Sequence, residues 1–538
     1  MNIKKIVAWL LAVAIIFGLC SCKKAADGSS SYESSPNYSE SSSKDYITLL
    51  YSVSDSFNPY VAKTDINRQL CKLLYEPLVK LSNEFEPINS MAQSVELSDK
   101  QCKVVLKNVC FSDGSQLTAS DVVYSYNLAK SSAGSYSLKL YEVIETAVVD
   151  SKTVVFSLNK ADPYFANVLD FPIIKSGSDK LTDSDGVLQP PIGSGRYKVS
   201  DDKENLLLNE NYYGKKGAIK TIKLINAPDS ESVAHYVQIG ATDIYYNESA
   251  TGEILRMSGQ KADININNMV YIGINQNYGE LYKNKLRQAI SSGINRKEIC
   301  QNAFYTNALP ATGFFNPVWE AVKAVQNLQI EPKSQITIEN LEEIGYNSLD
   351  EKGERKNSFG NYLKLTLLVN SENRLRVAAA QMIASQLSEF GIKITVVEKS
   401  FASYIEALQN GDFQLYLGEV KLTDNMDISC MVTEGGSAAY GLYKKAETSE
   451  AVPSDTTEIS SDFTEQPIEA NKSAEVINGF YSGVNTIADV AVVLQTEMPF
   501  IPICYRTGAI FYNDNIENVD NSSASDIYFS IESYIINK

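Results

Sequence analysis

Histidine is almost absent from this sequence, with His235 the single example among 538 residues. A lone histidine is more often structural than catalytic or metal-binding, because sites of those kinds need partner groups. The sequence also has no serine nucleophile elbow, no HExxH zinc motif and no Walker phosphate loop. Carboxylates are abundant, but sequence alone does not distinguish a glycosidase pair from surface acids. We therefore predict that the protein is not an enzyme.

Cysteine is present but forms no recognisable framework. The sequence has no CxxC motif and no Cys/His cluster, which argues against a structural zinc site. Cys102 and Cys110, if they lay on one extended strand, would be about 26 Å apart and could not pair. We predict mostly free, buried thiols, no bound metal and no cofactor. The six cysteines beyond the first 22 residues are Cys71, Cys102, Cys110, Cys300, Cys430 and Cys504.

Positive charge is in deficit. Lysine and arginine number 48 against 65 aspartates and glutamates, which gives a formal net charge of −17. Such a chain is a poor match for nucleic acid, so no nucleic-acid partner is predicted. With 44% hydrophobic residues over this length, one core is not enough. Two or three globular lobes are expected.

No apolar run in the N-terminal region is long enough to span a bilayer comfortably. The apolar stretch 6–19 follows Lys4 and Lys5, which is the pattern of an export signal. Leu-Cys-Ser-Cys at 19–22 resembles a bacterial lipobox, with a small residue directly before Cys22. Residues 1–21 are therefore predicted to be a lipoprotein signal peptide and Cys22 the lipidated residue; the alternative is a plain cleaved signal peptide.

Two segments are too polar to fold alone. Residues 22–44 are rich in serine and are predicted to be a disordered tether, whose ends would lie on average about 25 Å apart. Residues 444–472 are acidic and contain Pro453 and Pro467, and they are predicted to be a disordered surface insertion. The alternative for residues 444–472 is an acidic segment with a function of its own.

One stretch predicts a strand, a turn and a helix in succession. Apolar residues alternate with other residues over 102–107, which is the period of a strand with one buried face. Asp113 and Gly114 predict a turn. Thr118 and Asp121 have the spacing of a capping box, so a helix is expected to begin at Ala119.

This stretch also carries a resemblance. FSDG-x-x-LTA-x-DVV-x-SY, over 111–126, resembles the signature region of solute-binding protein family 5, the peptide- and nickel-binding subunits of ABC importers. LYEPLV at 74–79, YIGIN at 271–275, LRQAI at 286–290 and PFIPICY at 499–505 resemble further family segments. The resemblance therefore extends over nearly the whole chain.

The resemblance implies an α/β fold of the periplasmic-binding-protein type II, with two lobes, a hinge and an extra subdomain in the N-terminal lobe. The strand-helix-strand order over 363–397 independently favours an α/β lobe. Three units are predicted. They are lobe I (45–76, 189–268 and 501–538), the extra subdomain (77–188) and lobe II (269–500).

The implied function is that of a solute-binding lipoprotein of an ABC importer. It would capture an oligopeptide or similar small solute in a cleft between the lobes and deliver it to the permease subunits. The implied location is the extracytoplasmic face of the cell membrane, held by the lipid anchor. The alternatives are another solute such as a nickel complex or a sugar, a surface sensor without a transport role, and an extracellular hydrolase.

The resemblance directs attention to residues 419–427, here called the junction segment. In the family this segment reaches the cleft, commonly with a tryptophan and with an aspartate that pairs with the amino group of a peptide. Val420 replaces the tryptophan, Thr423 holds the aspartate position, and Asp424 lies one residue later. Either Asp424 takes over that role or the ligand lacks a free amine. The alternative is that Asp424 and Asp427 only cap a turn.

Other ligand candidates rest on their position in the family pattern. Arg196 stands where the family has proline in a glycine-rich loop, so no ligand role is transferred to that loop. The predicted ligand-binding residues are Asn58, Asn275, Glu419, Lys421, Thr423, Asp424, Asn425, Tyr440, Tyr505 and Arg506.

Overall fold

The computed structural model describes four stretches of the chain, namely 45–132, 134–248, 255–443 and 471–537. The predicted signal peptide, the lipidation site Cys22, the tether and residues 444–470 of the predicted insertion lie outside the described residues. None of the described helices is both long enough and apolar enough to cross a membrane.

The predicted end of the acidic insertion is corrected by two residues. Asn471 and Lys472 belong to the start of a helix, Lys472–Tyr481, rather than to a disordered segment. The side chain of Asn471 accepts the backbone N–H of Ala474 at 3.1 Å, which caps the helix.

Strands and helices alternate through most of the chain. The strands are β1 Tyr46–Tyr51, β2 Val79–Leu81, β3 Pro87–Asn89, β4 Ala92–Ser98, β5 Gln101–Leu106, β6 Val143–Asp150, β7 Thr153–Leu158, β8 Tyr197–Val199, β9 Asn205–Leu208, β10 Thr221–Asn226, β11 Ile244–Glu248, β12 Gln260–Ile274, β13 Ala308–Pro310, β14 Ser348–Leu349, β15 Arg355–Lys356, β16 Lys364–Asn370, β17 Lys393–Lys399, β18 Leu415–Lys421, β19 Phe500–Tyr512, β20 Ile516–Glu517 and β21 Ile535–Ile536.

The helices are α1 Asp65–Leu74, α2 Ala119–Ser131, α3 Ser135–Lys139, α4 Ser230–Gln238, α5 Asn284–Ser292, α6 Arg296–Asn302, α7 Ser334–Glu343, α8 Arg374–Ser388, α9 Phe401–Asn410, α10 Lys472–Tyr481 and α11 Ile487–Glu497. Short 3₁₀ turns lie at Phe165–Val168, Ser178–Lys180, Gly279–Tyr282, Glu320–Leu328, Ser429–Met431 and Ile531–Ser533.

The predicted strand-turn-helix unit is confirmed. In β5, the apolar Cys102, Val104 and Leu106 are buried while their neighbours are more exposed. Helix α2 begins at Ala119 as predicted. The backbone N–H and the hydroxyl of Thr118 both donate to the carboxylate of Asp121, at 2.9 and 2.8 Å, so this carboxylate holds the first turn.

Three sheets form the framework. The first runs β1-β10-β9-β8, with β1 parallel to β10. The second is antiparallel and runs β4-β5-β7-β6 in the extra subdomain. The third runs β11-β19-β12-β18-β16-β17, with β13 also paired to β19. In this sheet, β16 is parallel to both β17 and β18, and α8 connects β16 to β17. The predicted strand-helix-strand order is therefore confirmed.

Two long strands connect lobe I to lobe II. The first half of β12 pairs with the second half of β19, and this end of the pair lies beside β11. The second half of β12 pairs with the first half of β19, and this end lies beside β18. The register shifts between Asn265 and Met269, and again between Val270 and Tyr271. Such irregularities bend a strand locally. We therefore place the hinge of the predicted lobes at this shift.

The extra subdomain and lobe II share one hydrophobic cluster, which also takes in Ile501, Ile503, Cys504 and Tyr505 at the start of β19. The rest of lobe I packs mainly in two smaller clusters. Aromatic rings form the contact between subdomain and lobe II. Tyr164 of the subdomain packs edge-on against Trp319, with ring centroids 4.8 Å apart, and also against Phe480 and Tyr481. Trp319, Phe480 and Tyr481 are buried and Tyr164 is half-buried, which makes this a strongly apolar contact.

Arg196, which replaces the family proline, lies in a buried ion-pair network. Its Nη2 is 2.5 Å from Oδ2 of Asp526, and Lys80 Nζ lies 3.0 Å from the same oxygen and 2.8 Å from Oε2 of Glu76. Burial alone would raise the pKa of Asp526, but Arg196 and Lys80 hold it at about 2. The network joins Asp526, in the C-terminal part of lobe I, to Arg196 of the same lobe and to Lys80 of the subdomain. Arg196 therefore has a structural role at the position where the family has proline.

The glycines before Arg196 are required by close packing. A Cβ on Gly193 would lie 2.1 Å from the carbonyl oxygen of Leu74, and one on Gly195 would lie 2.3 Å from that of Leu73. These distances are shorter than any real contact, so the loop can approach the end of α1 only without side chains at both positions. The six described cysteines carry free thiols; four are buried, and Cys110 and Cys430 are half-buried.

Candidate functional site

The junction segment begins at the end of β18 and contacts all three units. Asp424 Oδ2 lies 2.6 Å from Nζ of Lys139 in the extra subdomain. Lys421 Nζ lies 3.6 Å from Oε1 of Glu248 in lobe I. The segment itself belongs to lobe II, so it lies at the junction of the lobes, where the sequence predicted a ligand site.

Lys139 is the central cation of this junction. Its side chain is 12% exposed, and its Nζ lies 2.7 Å from Oδ2 of Asp170 as well as 2.6 Å from Asp424. Burial alone would lower the pKa of Lys139, but the two carboxylates together raise it above its ordinary value. Lys139 is therefore charged at neutral pH, and Asp424 already pairs with an amine of the chain itself.

Neighbouring residues of the junction segment shape its turn. Thr423 donates its hydroxyl to Oδ1 of Asn425 at 2.6 Å, and Asn425 donates its amide to Oδ2 of Asp162 at 2.7 Å. Burial raises the pKa of Asp162 to about 6. Asp427 accepts the N–H of Ser429 at 2.8 Å, which is the predicted turn-capping role. Asp427 also lies 3.1 Å from a lysine of the subdomain, Lys160.

Glu419 of β18 and Arg506 of β19 are brought together, but as a buried pair within the third sheet's framework. The Glu419 side chain is 8% exposed, and its Oε2 lies 3.6 Å from Nη1 of Arg506 and 3.9 Å from Nε of Arg376. Asn268 donates to Oε1 of Glu419 at 3.2 Å. The guanidinium of Arg506 lies 4.6 Å from the ring centroid of Phe304. This buried charge group links β18 to β19 across β12, the strand between them.

The other four predicted residues lie outside the junction segment and bond to or pack against other parts of the chain. The Oδ1 of Asn58 accepts the N–H of Tyr60 at 3.0 Å in the turn after β1. Asn275 donates to two backbone carbonyls in the loop between α9 and β18. Tyr505 is fully buried and donates to a carbonyl at 2.9 Å, and Tyr440 packs against another tyrosine ring. Their roles in ligand binding stay predictions.

A cavity of about 550 Å³ lies in lobe I beside the junction. It is lined by the ends of β1 and β11, by the first turns of α1 and α4, and by Ile527 and Tyr528. Glu248 lines the cavity and also faces Lys421, so one side chain of the lining contacts the junction segment. Its volume is in the range of small-ligand sites.

Two amide side chains of the cavity lining have unsatisfied oxygens. Oε1 of Gln69 and Oδ1 of Asn247 are buried and have no hydrogen-bond partner in the structure. A buried acceptor without a hydrogen-bond partner costs folding free energy. A ligand with N–H donors would satisfy these oxygens once the side-chain amides of Gln69 and Asn247 rotate toward it. These two oxygens are the clearest indication in the lining that the cavity receives a ligand.

Lys72 lies one helical turn beyond Gln69 on α1 and donates to the carbonyl oxygen of Ala524. Burial lowers the pKa of Lys72 to about 8, against the opposing effect of Asp526 and Asp170. A fraction of this amine is therefore neutral near pH 8. Lys72 itself is not among the residues that line the cavity.

Sequence reasoning missed the charged groups around the junction segment. Lys139, Asp170 and Lys72 stand in ordinary helical or loop contexts that carry no sequence signal of a site. Asn247 and Glu248 end a strand at the junction of the lobes, and strand ends of α/β sheets are where ligands usually bind. That position was the one signal available for these two residues.

Two α/β lobes joined by two shared strands, with a cavity in lobe I beside their junction, are the architecture of a two-lobe solute receptor. Residues 86–429 match the model of the bacterial extracellular solute-binding proteins, family 5 Middle. The chain belongs to this family, and the predicted periplasmic-binding-protein-like fold is confirmed.

Relatives and solved structures agree with this assignment. The oligopeptide-binding protein AppA of Bacillus subtilis (strain 168) is 25% identical over 477 residues, which is 81% of this chain and 84% of that protein. An ABC transporter substrate-binding protein from Sinorhizobium meliloti has a TM-score of 0.67 at 16% identity, over 92% of this chain and 100% of the other. NikA from Brucella suis in complex with Fe(III)-EDTA has a TM-score of 0.65 at 17% identity, over 91% and 100%.

Replacing Lys139 tests the electrostatics of the junction. Lys139→Met leaves Asp170 and Asp424 facing each other, and we expect the free energy of unfolding at neutral pH to fall by about 3–5 kcal/mol. The loss should shrink as the pH is lowered toward about 4.5, because repulsion between two carboxylates is relieved when one of them binds a proton. Urea unfolding at both pH values measures the difference.

The matched control is Lys103→Met, which removes a lysine from an exposed pair with Glu96. That pair is worth under about 1 kcal/mol, so the control should stay close to the unaltered protein at both pH values. Equal losses in the two variants would contradict the role given to Lys139.

Proposed function

We propose that the chain captures an oligopeptide or a similar small solute between its lobes and delivers it to the membrane subunits of an ABC importer. The observation that carries the proposal is the cavity of about 550 Å³ in lobe I, beside the lobe junction, with its two unsatisfied amide oxygens. Membership of the family and the similarity to an oligopeptide-binding protein support peptide as the solute. The proposed role is binding and transfer, without catalysis.

The chemistry of the cavity suits a peptide. Its walls combine apolar residues with four acids and with the amides of Gln69 and Asn247, a mixture that suits the apolar and polar groups of a peptide. Peptide N–H groups are donors of the kind that the oxygens of Gln69 and Asn247 lack. A solute enclosed here would contact lobe I, including Glu248, the side chain that faces Lys421 of lobe II. Binding would therefore favour the state in which the lobes are in contact.

The pairing of Asp424 bears on how the peptide is oriented. Lys139 neutralises Asp424 at 2.6 Å, in a site where the aspartate side chain is 19% exposed. A free peptide amine would have to displace Lys139, and this exchange would leave the lysine buried without a partner carboxylate from lobe II. This supports the second alternative from the sequence, in which the ligand is not held through a free amine at Asp424.

The anchor is the remaining part of the proposal. Cys22 would carry the lipid, and residues 22–44 would tether the lobes to the extracytoplasmic face of the cell membrane. The lipobox-like sequence before Cys22 and the serine-rich composition after it support this arrangement. An anchored receptor stays close to its permease, which raises the rate of solute transfer through a high effective concentration.

Peptide capture is tested with the full-length chain. We expect peptides to be released when the purified protein is unfolded and analysed by mass spectrometry. After exchange into ligand-free buffer, a pentapeptide pool at about 100 times its dissociation constant should stabilise the fold by about 2.7 kcal/mol. Differential scanning calorimetry measures the stabilisation.

A cavity-filling variant locates the effect. Ala234→Trp places an indole in the cavity lining and should abolish the stabilisation by the pool. Ala402→Trp makes the same substitution on the exposed side of α9 and should preserve it. The absence of released peptide together with no stabilisation by the pool would contradict peptide binding.

Lipidation is tested by metabolic labelling in a bacterial host that processes lipoproteins. We expect the chain to incorporate an alkyne-tagged palmitate and to fractionate with membranes. Cys22→Ser should abolish both, because the acylated thiol is lost. Cys20→Ser is the control and should retain both. Retained label in the Cys22→Ser variant would refute the assignment of the anchor.

A further inference from the structure

The cavity of lobe I has an uneven charge. Four carboxylate residues line it, while its described lining includes no lysine, arginine or histidine. Its electrostatic potential therefore favours positive over negative ligand groups. The four acidic residues are Asp65, Asp229, Glu231 and Glu248.

Part of this negative charge has a structural explanation. Asp65 stands in the first turn of α1 and pairs with Arg68. Asp229 caps α4 and accepts the N–H of Ser232 at 2.8 Å. Acids at helix N-termini balance the helix dipole, so these two carboxylates are largely accounted for. The charge available to a ligand is therefore that of the other two acids.

Glu231 and Glu248 are less well compensated. Glu231 is exposed, and within the described part of the chain it forms no ion pair. Glu248 has one cationic neighbour, Lys421, at 3.6 Å, and that lysine is 58% exposed. Ion pairs at such distances and exposures are weak. A cation entering the cavity can therefore compete for both carboxylates.

The walls of the cavity are suited to an aliphatic chain. Leu49, Ile66, Val233 and Ile244 line it, together with tyrosine rings at the end of β11. Asn247 is 8% exposed and, like Gln69, has a buried oxygen without a hydrogen-bond partner. The cavity thus combines apolar walls, unsatisfied acceptors and two available carboxylates. A long apolar stem that ends in a cation with several N–H donors matches all three features.

We infer that this cavity selects a basic side chain, of the arginine or lysine class, from the bound peptide. The stem packs against the aliphatic walls, and the cationic head lies near Glu231 and Glu248 with N–H groups directed to the amide oxygens. The inference rests on the proposed function, because it assigns the kind of peptide that the receptor prefers.

Three series of pentapeptides test the preference. Each series carries arginine, norleucine or glutamate at one position of an alanine background, and each position is tested in turn. Norleucine keeps the aliphatic stem without the charge. Isothermal titration with the full-length protein should show arginine binding at least about tenfold more tightly than norleucine at one position, with glutamate weakest. High salt should reduce the preference, because the carboxylates are partly exposed.

A charge-neutral variant assigns the preference to the cavity. Glu231→Gln combined with Glu248→Gln should weaken binding of the preferred arginine peptide about tenfold and leave the norleucine peptide unchanged. The control combines Glu145→Gln with Glu406→Gln, two exposed acids away from the cavity lining, and has the same net charge. The control should keep the full preference for arginine.

The outcomes separate the two proposals. Equal affinity for the three series, or tightest binding of a glutamate peptide, would overturn the inference and leave peptide binding intact. Equal weakening by the cavity and control variants would also overturn it, since the preference would then reflect net charge alone. No binding of any pentapeptide would overturn the inference together with the proposed function.

Discussion

The antiparallel pairing of β12 with β19 is the constraint on which the rest of the structure depends. β11 pairs with β19 at one end of this unit, and β18 pairs with β12 at the other end. Each lobe is therefore built on a different end of the same two strands. The register shift between Asn265 and Met269 lies between these halves. Because β11 ends at Glu248 and β18 ends at Lys421, the pair also determines which side chains meet at the junction.

The charges at the junction are compensated mainly by the chain itself. Lys139 pairs with two carboxylates, and the network around Arg196 holds Asp526, in the C-terminal part of lobe I, in place. Buried charges of this kind contribute little net stability, but losing one partner is costly, so they fix one arrangement of the lobes. Among the buried unsatisfied polar atoms of the described residues, the amide oxygens of Gln69 and Asn247 are those that line the cavity, and a solute bound there could satisfy them.

Local sequence patterns predicted the local structure well. The alternation in β5, the capping of α2 by Asp121 and the order β16-α8-β17 follow from interactions within a few residues of one another. The site was predicted only in part, because its contacts join residues far apart in the chain. Arg196 was recognised as a departure from the family, yet its partner Asp526 is 330 residues away. Similarly, no pattern around Lys139 reports that it pairs with Asp424.

The central claim is that a solute is enclosed where lobe I meets the junction segment. A crystal structure of the full-length chain with its tightest-binding pentapeptide tests this most directly. The account predicts peptide density in the cavity, within hydrogen-bonding distance of Gln69 and Asn247, with the Lys139–Asp424 pair intact. Peptide density elsewhere on the protein, with the cavity empty, would contradict it.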